Sequence, residues 1–453
     1  MDNFEIDNSC FIDDISSSIY EFNQIPLELY QKYEVKRGLR DISGKGVLAG
    51  LTKISEIHSY ILNEGDLIPC EGKLYYRGYD IEDLVKGFTA EKRFGFEEAV
   101  YLLLFGKLPS QEEYDNFRKL LSSYYTLPKE FLNDTIMSSP SKDMMNSLAK
   151  SVLTLYTFDD DAEDTTIRNV VRQSLQLIAR FPSLIVYAYH SFVFAHKKEN
   201  IVIKSPKSEY SIAQNILHML RPVDTFTEQE ARILDLALVL HAEHGGGNNS
   251  SFTTHVVTSS GTDTYSCTAA SLASLKGPKH GGANIKVVKM FEDIKESVKD
   301  WTNEGQVRTY LYDILDKKAF DKSGLIYGIG HAVYSESDPR ALIFKSYVEK
   351  LAQEKGREDE YLLFSLVERL APEVIGEKRQ MYKGVSANVD FYSGFVYKML
   401  DLPEELYTTL FAAARIAGWS AHRIEELANN GKIIRPAYKA IEKHRSYKSM
   451  NAR

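Results

Sequence analysis

The sequence predicts a mostly α-helical protein of two domains, with a small β element near its N-terminus. Three observations carry that prediction. At 453 residues the chain is longer than one compact core of ordinary size. From Phe94 onward the text reads as helix with few interruptions. Residues 36–82 are instead Gly-rich and β-like, with turn signals at "NEGD" and "EGK" around short apolar stretches.

Residues 1–35 form an acidic lead-in with little periodicity. Farther on, "SQEE" (Ser110–Glu113) is a capping box before "YDNFRKLL", and "TEQE" (Thr227–Glu230) is another before "ARILDLALVLHAEH". The charged, proline-containing "KKENIVIKSPKSE" near residue 200 separates two helical segments and is expected to be a surface loop. No internal repeat or low-complexity segment interrupts this order.

The composition, 43% apolar and 26% charged, is that of a soluble globular protein. The longest apolar run, "AVYLLLF" (Ala99–Phe105), is far short of a membrane span. The start, "MDNFEIDNSCFIDDISSS", has neither a basic-then-apolar signal pattern nor an Arg-rich transit pattern, so the cytoplasm is the expected location. Cys10, Cys70 and Cys267 lack metal-ligand spacing, and an odd count suits a reducing compartment. A net charge of −8 argues against a nucleic-acid footprint but not against an anionic substrate met by a local arginine cluster.

Five of the eleven histidines fall between His241 and His331, four of them in glycine-punctuated stretches: "LHAEHGGGNN", "GPKHGGAN" and "YGIGHAVY". His241 and His244, three apart at the end of an apolar helix, are expected to share a face. They suit substrate binding, packing or capping at a helix end, or a metal, although a zinc site needs a third protein ligand that does not appear nearby. His280 lies between a proline-containing turn and a new helix near Ala283. A neutral imidazole there can donate to a carbonyl oxygen becoming an enolate, or it can merely fix the turn.

His331 is followed nine residues on by Arg340, with Gly328 and Gly330 allowing close approach of a ligand to backbone. "SDPR" reads as a turn with Pro339 starting a helix. An arginine at a helix start has the wrong sign for the dipole, so Arg340 is expected to face an anion, the alternative being a solvated surface residue. Asp390 in "SANVDFYSG" sits among small residues and aromatics, where partial desolvation makes it a usable base; a turn or N-cap role stays open. Arg415 in "FAAARIAG" and Arg435 in "GKIIRPAY" are arginines in apolar company, either structural or, with Arg340, a cage for a polycarboxylate.

Taken in order, "HAEH", "GPKHGGAN", "GIGHAVY" with "DPRA", "NVDFYSG", an arginine and "IIRPAY" resemble the citrate synthase family. "YYRGYDIEDL" (Tyr75–Leu84) resembles its N-terminal signature, so the likeness spans roughly residues 36–440. The resemblance implies an all-α, two-domain fold that works as a homodimer. After the lead-in 1–35, the large domain would hold residues 36–280, a small domain closing over the site 281–395, and a return to the large domain 396–453.

The resemblance also implies roles. Asp390 takes a proton from the acetyl-CoA methyl group, His280 holds the thioester oxygen as the enol or enolate forms, and His331 polarises the ketone of oxaloacetate. His244, Arg340, Arg415 and Arg435 grip oxaloacetate, with Arg435 reaching in from the partner subunit and His241 standing behind His244. Backbone at Tyr327, Gly328, Ile329 and Gly330 would meet CoA. Citryl-CoA then hydrolyses to citrate and CoA, with no metal and no cofactor.

The chain departs from the family pattern in three places. It has "HAEHG" where members often have "HADHE", and Ser335 where many carry a basic residue for CoA phosphates. The stretch from Asn284 to Gly328 is long. The nearest alternative is a 2-methylcitrate synthase using propionyl-CoA, because one methylene discriminates by only about 1–3 kcal/mol in an apolar pocket. A citrate-cleaving lyase needs an attached ligase region for which this length leaves no room. A non-catalytic CoA or dicarboxylate sensor would have to lack a base or donor that is present here.

Overall fold

A computed structural model describes residues 23–41, 46–63, 66–223, 225–330, 333–379 and 384–452. Residues 1–51 and 52–453 form two compact units. In the first, the described residues hold a short helix α1 (Leu27–Lys32), a 3₁₀ turn at Arg37–Leu39 and an isolated bridge between Arg40 and Gly46. Residues 1–22 of the expected lead-in lie outside the described residues.

The second unit opens with the expected β element, a three-stranded antiparallel sheet in the order β1 (Ser55–Asn63), β2 (Asp66–Tyr76) and β3 (Tyr79–Asp80). Its register pairs Ser55 with Tyr76 and shifts between His58 and Tyr60. Helix begins earlier than Phe94: α2 (Ile81–Ala90) starts at Asp80, whose side chain accepts from the Glu82 N–H. That N-cap satisfies one of the orphan donors of a first turn. "YYRGYDIEDL" is therefore half strand and half helix.

Helices α3 (Phe96–Phe105), α4 (Gln111–Ser123), α5 (Met144–Leu155), α6 (Ile167–Phe192) and α7 (Ile212–Leu220) follow. Then come α8 (Glu228–His241), α9 (Asn249–Thr258) and α10 (Thr264–Lys276). Both expected capping boxes form, Ser110 with Glu113 at α4 and Thr227 with Glu230 at α8. The expected surface loop "KKENIVIKSPKSE" contains no helix or strand after its first residue, Lys197, which ends a π-helical turn. Among the described residues, the segment Ile167–Lys197 is long and apolar enough to cross a membrane, but most of it is buried in the protein as a core helix.

Helices α11 (Ala283–Ser297), α12 (Glu304–Leu315), α13 (Pro339–Glu354), α14 (Glu358–Arg379) and α15 (Val389–Met399) pack on one another. Phe291 and Phe364 stack with ring centroids 3.5 Å apart, and Phe395 and Phe391 complete an aromatic core. The last helix, α16 (Tyr407–Ala428), runs against α3, α6, α8, α9 and α10. Every residue from Tyr407 to Arg423 is buried. Its small residues, Ala412–Ala414, Ala417, Gly418 and Ala421, let so many neighbours approach closely.

Candidate active site

Helix α8 is buried almost all round, and the chain leaves it after His241 to turn at Gly245, whose φ is +84°. His244 lies beyond the helix, so it does not share a helical face with His241 as the spacing suggests. The ladder ends before the second histidine because the chain turns away toward Gly245. His241 Nδ1 donates to the Ala237 carbonyl at 2.8 Å, a hydrogen bond that fixes its tautomer. Burial, helped by Arg340 and Arg415, lowers its pKa to about 3, so the ring is neutral. The buried His244 ring meets Tyr334 edge-on, centroids 5.5 Å apart.

Glu243, fully buried between them, accepts at Oε1 from Ser55 Oγ (2.9 Å) and from the Gly245 N–H (2.5 Å). Its backbone N–H and carbonyl both bond the hydroxyl of Tyr76, a residue of β2. That is how the small sheet fixes the turn. Burial alone would raise the Glu243 pKa, but His422 and Arg415 outweigh it and bring it to about 2. Oε2 rests against Gly418 of α16, where any methyl group would collide with it.

His280 stands three residues before α11, on the turn expected for it. Its Nε2 is 3.0 Å from Ser250 Oγ, which also accepts from the Trp419 indole N–H at 3.0 Å. Burial, then Arg415, lowers the His280 pKa to about 4, so it is a neutral imidazole at physiological pH.

Helix α13 begins at Pro339, with Asp338 as N-cap. Arg340, expected to face an anion, is buried and meets a carboxylate of its own chain, that of Asp338. Asp390 is in the first turn of α15, whose N-cap is Asn388 rather than the aspartate itself. Burial raises its pKa to about 6 against the pull of Arg340, with Asp338 raising it further. Arg415 is fully buried on α16; its Nε donates to the His241 carbonyl at 2.7 Å and its guanidinium lies 4.7 Å over Phe411. Its Nη1 is buried without a hydrogen-bond partner. Burial lowers its pKa to about 10, which leaves it a cation. An orphaned buried guanidinium nitrogen beside a second arginine is a place for a carboxylate.

The strip Tyr327–Gly330 is pinned to the start of α15. The Asn388 N–H donates to the Gly328 carbonyl (2.9 Å), the Gly330 N–H to Ser386 (2.8 Å), and Ile329 bridges Ala387. Gly328 has φ +79°, and a methyl there would come within 3.0 Å of Phe391 Cα. The Tyr327 hydroxyl donates to Asp321, which also pairs with Lys286 at 3.0 Å. His331 lies outside the described residues. Ser335, where a basic residue is common, is buried and bonded to the Tyr60 hydroxyl at 2.9 Å.

The structure thus gathers His241, His280, Arg340, Asp390 and Arg415 into one electrostatically coupled cluster, with His244 on the turn beside it. Arg435 is exposed on the irregular tail after α16, where the Ile434 N–H donates to Ser259 Oγ, and takes no part in those contacts. Sequence reasoning missed Tyr76, Ser250, Asp338 and Trp419. Asp338 had a signal, an aspartate before proline at a helix start. Trp419, one of two tryptophans and set in a small-residue helix, had a weaker one.

Residues 40–437 match the family "Citrate synthase, C-terminal domain". The chain is 35% identical to a citrate synthase of Synechocystis over 84% of its length and 89% of the relative's. It is 32% identical to a 2-methylcitrate synthase of Shewanella oneidensis, over 80% and 87%. In three dimensions it resembles the citrate synthase of Thermoplasma acidophilum, solved as a ternary complex with carboxymethyl coenzyme A and oxaloacetate. That match has a TM-score of 0.74 and 27% identity, covering 92% of this chain and 98% of the other.

Proposed function

The chain belongs to the citrate synthase family, and from that premise we propose that Asp390, His280 and the buried arginines condense acetyl-CoA with oxaloacetate and water to citrate and CoA. The observation that carries this reading is a raised aspartate and a neutral histidine that both feel the buried Arg415. Asp390, at about 6, is ionised at neutral pH yet more basic than an ordinary carboxylate. His280, at about 4, is neutral, and a neutral imidazole carries one N–H that can donate to an enolate oxygen.

The tautomer of His280 turns on the Ser250 hydroxyl proton. Trp419 can only donate to Ser250 Oγ, so the hydroxyl proton goes either to His280 Nε2 or to Asn248 Oδ1, 2.9 Å away. In the proposed mechanism it goes to His280, and Nδ1–H faces the thioester oxygen. Asp390 removes the methyl proton as that oxygen gains charge. The enol carbon attacks the ketone of oxaloacetate, whose carboxylates sit on Arg415, Arg340 and His244 while His331 polarises the ketone. Water then cleaves citryl-CoA.

The proposal extends to the parts around this chemistry. Residues 281–395 close over the site as a small domain, which shields the enol from water. The strip Tyr327–Gly330 receives CoA. A homodimer supplies Arg435 across its interface, the reaction needs neither metal nor cofactor, and the enzyme works in the cytoplasm. CoA release that depends on oxaloacetate and yields citrate tests the reading; CoA release indifferent to oxaloacetate overturns it. The relative named as a 2-methylcitrate synthase makes propionyl-CoA the alternative acyl donor, which a kcat/KM comparison of the two thioesters decides.

A further inference from the structure

We propose that His422 and His255 are positioning residues that share one extra proton and through it hold Glu243, and with it the turn that presents His244 to oxaloacetate. The proposal rests on the reading of the site as an oxaloacetate site. Its evidence is a chain of four side chains that the proposed mechanism does not use. Glu243 Oε1 is 3.0 Å from His422 Nε2, His422 Nδ1 is 3.2 Å from His255 Nε2, and His255 Nδ1 is 2.8 Å from Glu426 Oε2. Glu243 and His422 are fully buried, and the row runs outward from them to the partly exposed Glu426.

Counting protons shows what the row requires. A carboxylate only accepts, and a neutral imidazole carries one N–H and one bare nitrogen. Three contacts need three protons, and two neutral rings bring two. Without a third, either two bare nitrogens face each other or a carboxylate faces a bare nitrogen. With it, every link is made, and the added charge lies between carboxylates. The groups facing the pair are Glu243 from the turn after α8 and Glu425 and Glu426 from α16, with Glu425 3.9 Å from His422 Nδ1. Arg415 and Ser55 act on it through Glu243.

The backbone is shaped for this row. Gly246 passes over both rings, where a methyl would come within 3.3 Å of His422 and 3.4 Å of His255. That accounts for the middle of the "GGG" run, which the catalytic reading leaves unexplained. Glu243 in turn ties the Gly245 N–H, so a loosened His422 contact reaches His244 through two covalently adjacent residues.

The test reads oxaloacetate binding by calorimetry from pH 6 to 9 in the full-length protein, together with kcat. Wild type that binds oxaloacetate but releases no CoA would overturn the proposed function and leave this inference standing. For this inference, His422→Phe is expected to weaken oxaloacetate binding about tenfold with kcat within about threefold, a loss of ground-state binding. His422→Gln keeps an N–H for Glu243 and should stay within about threefold of wild-type affinity. Burial and then the neighbouring His422 lower the His255 pKa, so wild-type affinity should fall with rising pH as the shared proton leaves, and this fall should vanish in His422→Gln and in His255→Phe. His422→Phe binding oxaloacetate like wild type at every pH overturns the proposal. Should that variant not fold, a fall with rising pH that persists in His255→Phe overturns it instead.

Discussion

Arg340 and Asp338 meet fork to carboxylate, both buried: Nε donates to Oδ1 at 3.0 Å and Nη2 to Oδ2 at 2.7 Å. The same carboxylate accepts the Arg340 N–H that opens α13 and the Val389 N–H that opens α15. One side chain therefore joins the start of α13, which carries Arg340, to the start of α15, which carries Asp390. Removing it strands a buried cation as well as two backbone donors. Asp338→Ala should cost about 3–5 kcal/mol of stability, read as a fall in the urea midpoint, and should raise the KM for oxaloacetate. A wild-type midpoint would show that the fork contributes nothing net.

Asp390 gives a pH prediction with a definite sign. As a base it must be ionised, so kcat should rise with pH through about 6 and then level. Asp390→Asn should lose two or more decades of kcat, as expected for general-base catalysis, while oxaloacetate still binds. Stability moves the other way. A carboxyl whose folded pKa is raised binds its proton more tightly folded than unfolded, so above pH 6 its ionisation destabilises the fold. Asp390→Asn should therefore raise Tm at pH 7, and a lowered Tm would contradict the burial that raises the pKa.

Gly328 sets how near the strip Tyr327–Gly330 lies to α15. Gly328→Ala forces a side chain onto a φ of +79° with Val287 Cγ2 only 2.8 Å away, a strain of roughly 1–3 kcal/mol. The expected outcome is a higher KM for acetyl-CoA with oxaloacetate affinity preserved. Equal effects on both substrates would separate the strip from CoA binding.

The helices were legible in the sequence because their signals are local. Serine or threonine followed three residues later by glutamate marked the starts of α4 and α8. The His–Gly punctuation marked the loops of the site for the same reason, since bent backbone and glycine are neighbours in the chain. Ser250 and His422 were invisible, and Trp419 was only weakly marked, because their partners are 30 to 179 residues away. The supposed shared face of His241 and His244 failed because periodicity says nothing of where a helix stops.

Arg435, exposed on the tail, makes the dimer prediction sharp. Asp390→Asn and Arg435→Leu, each inactive alone, should recover activity when co-refolded in equal amounts. Random pairing makes about half the dimers mixed, each with one doubly damaged and one intact site, so about a quarter of wild-type activity is expected. No recovery, with mixed dimers verified by mass spectrometry, would place Arg435 in its own subunit's site.

Arg415, Trp419, His422 and Glu426 recur at intervals that return to one face of α16. They contact, in turn, the His241 carbonyl, Ser250 beneath His280, Glu243 and His255. The helix is thus a ruler, and its spacing matters as much as its letters. Gaining or losing one residue between Arg415 and Glu426 would rotate everything beyond by about 100° and shift it by about 1.5 Å. With every position from Tyr407 to Arg423 buried, no local bulge has room to absorb the change. Length in this segment is accordingly constrained to the single residue, whereas the irregular stretch 431–449 has no helical phase to lose.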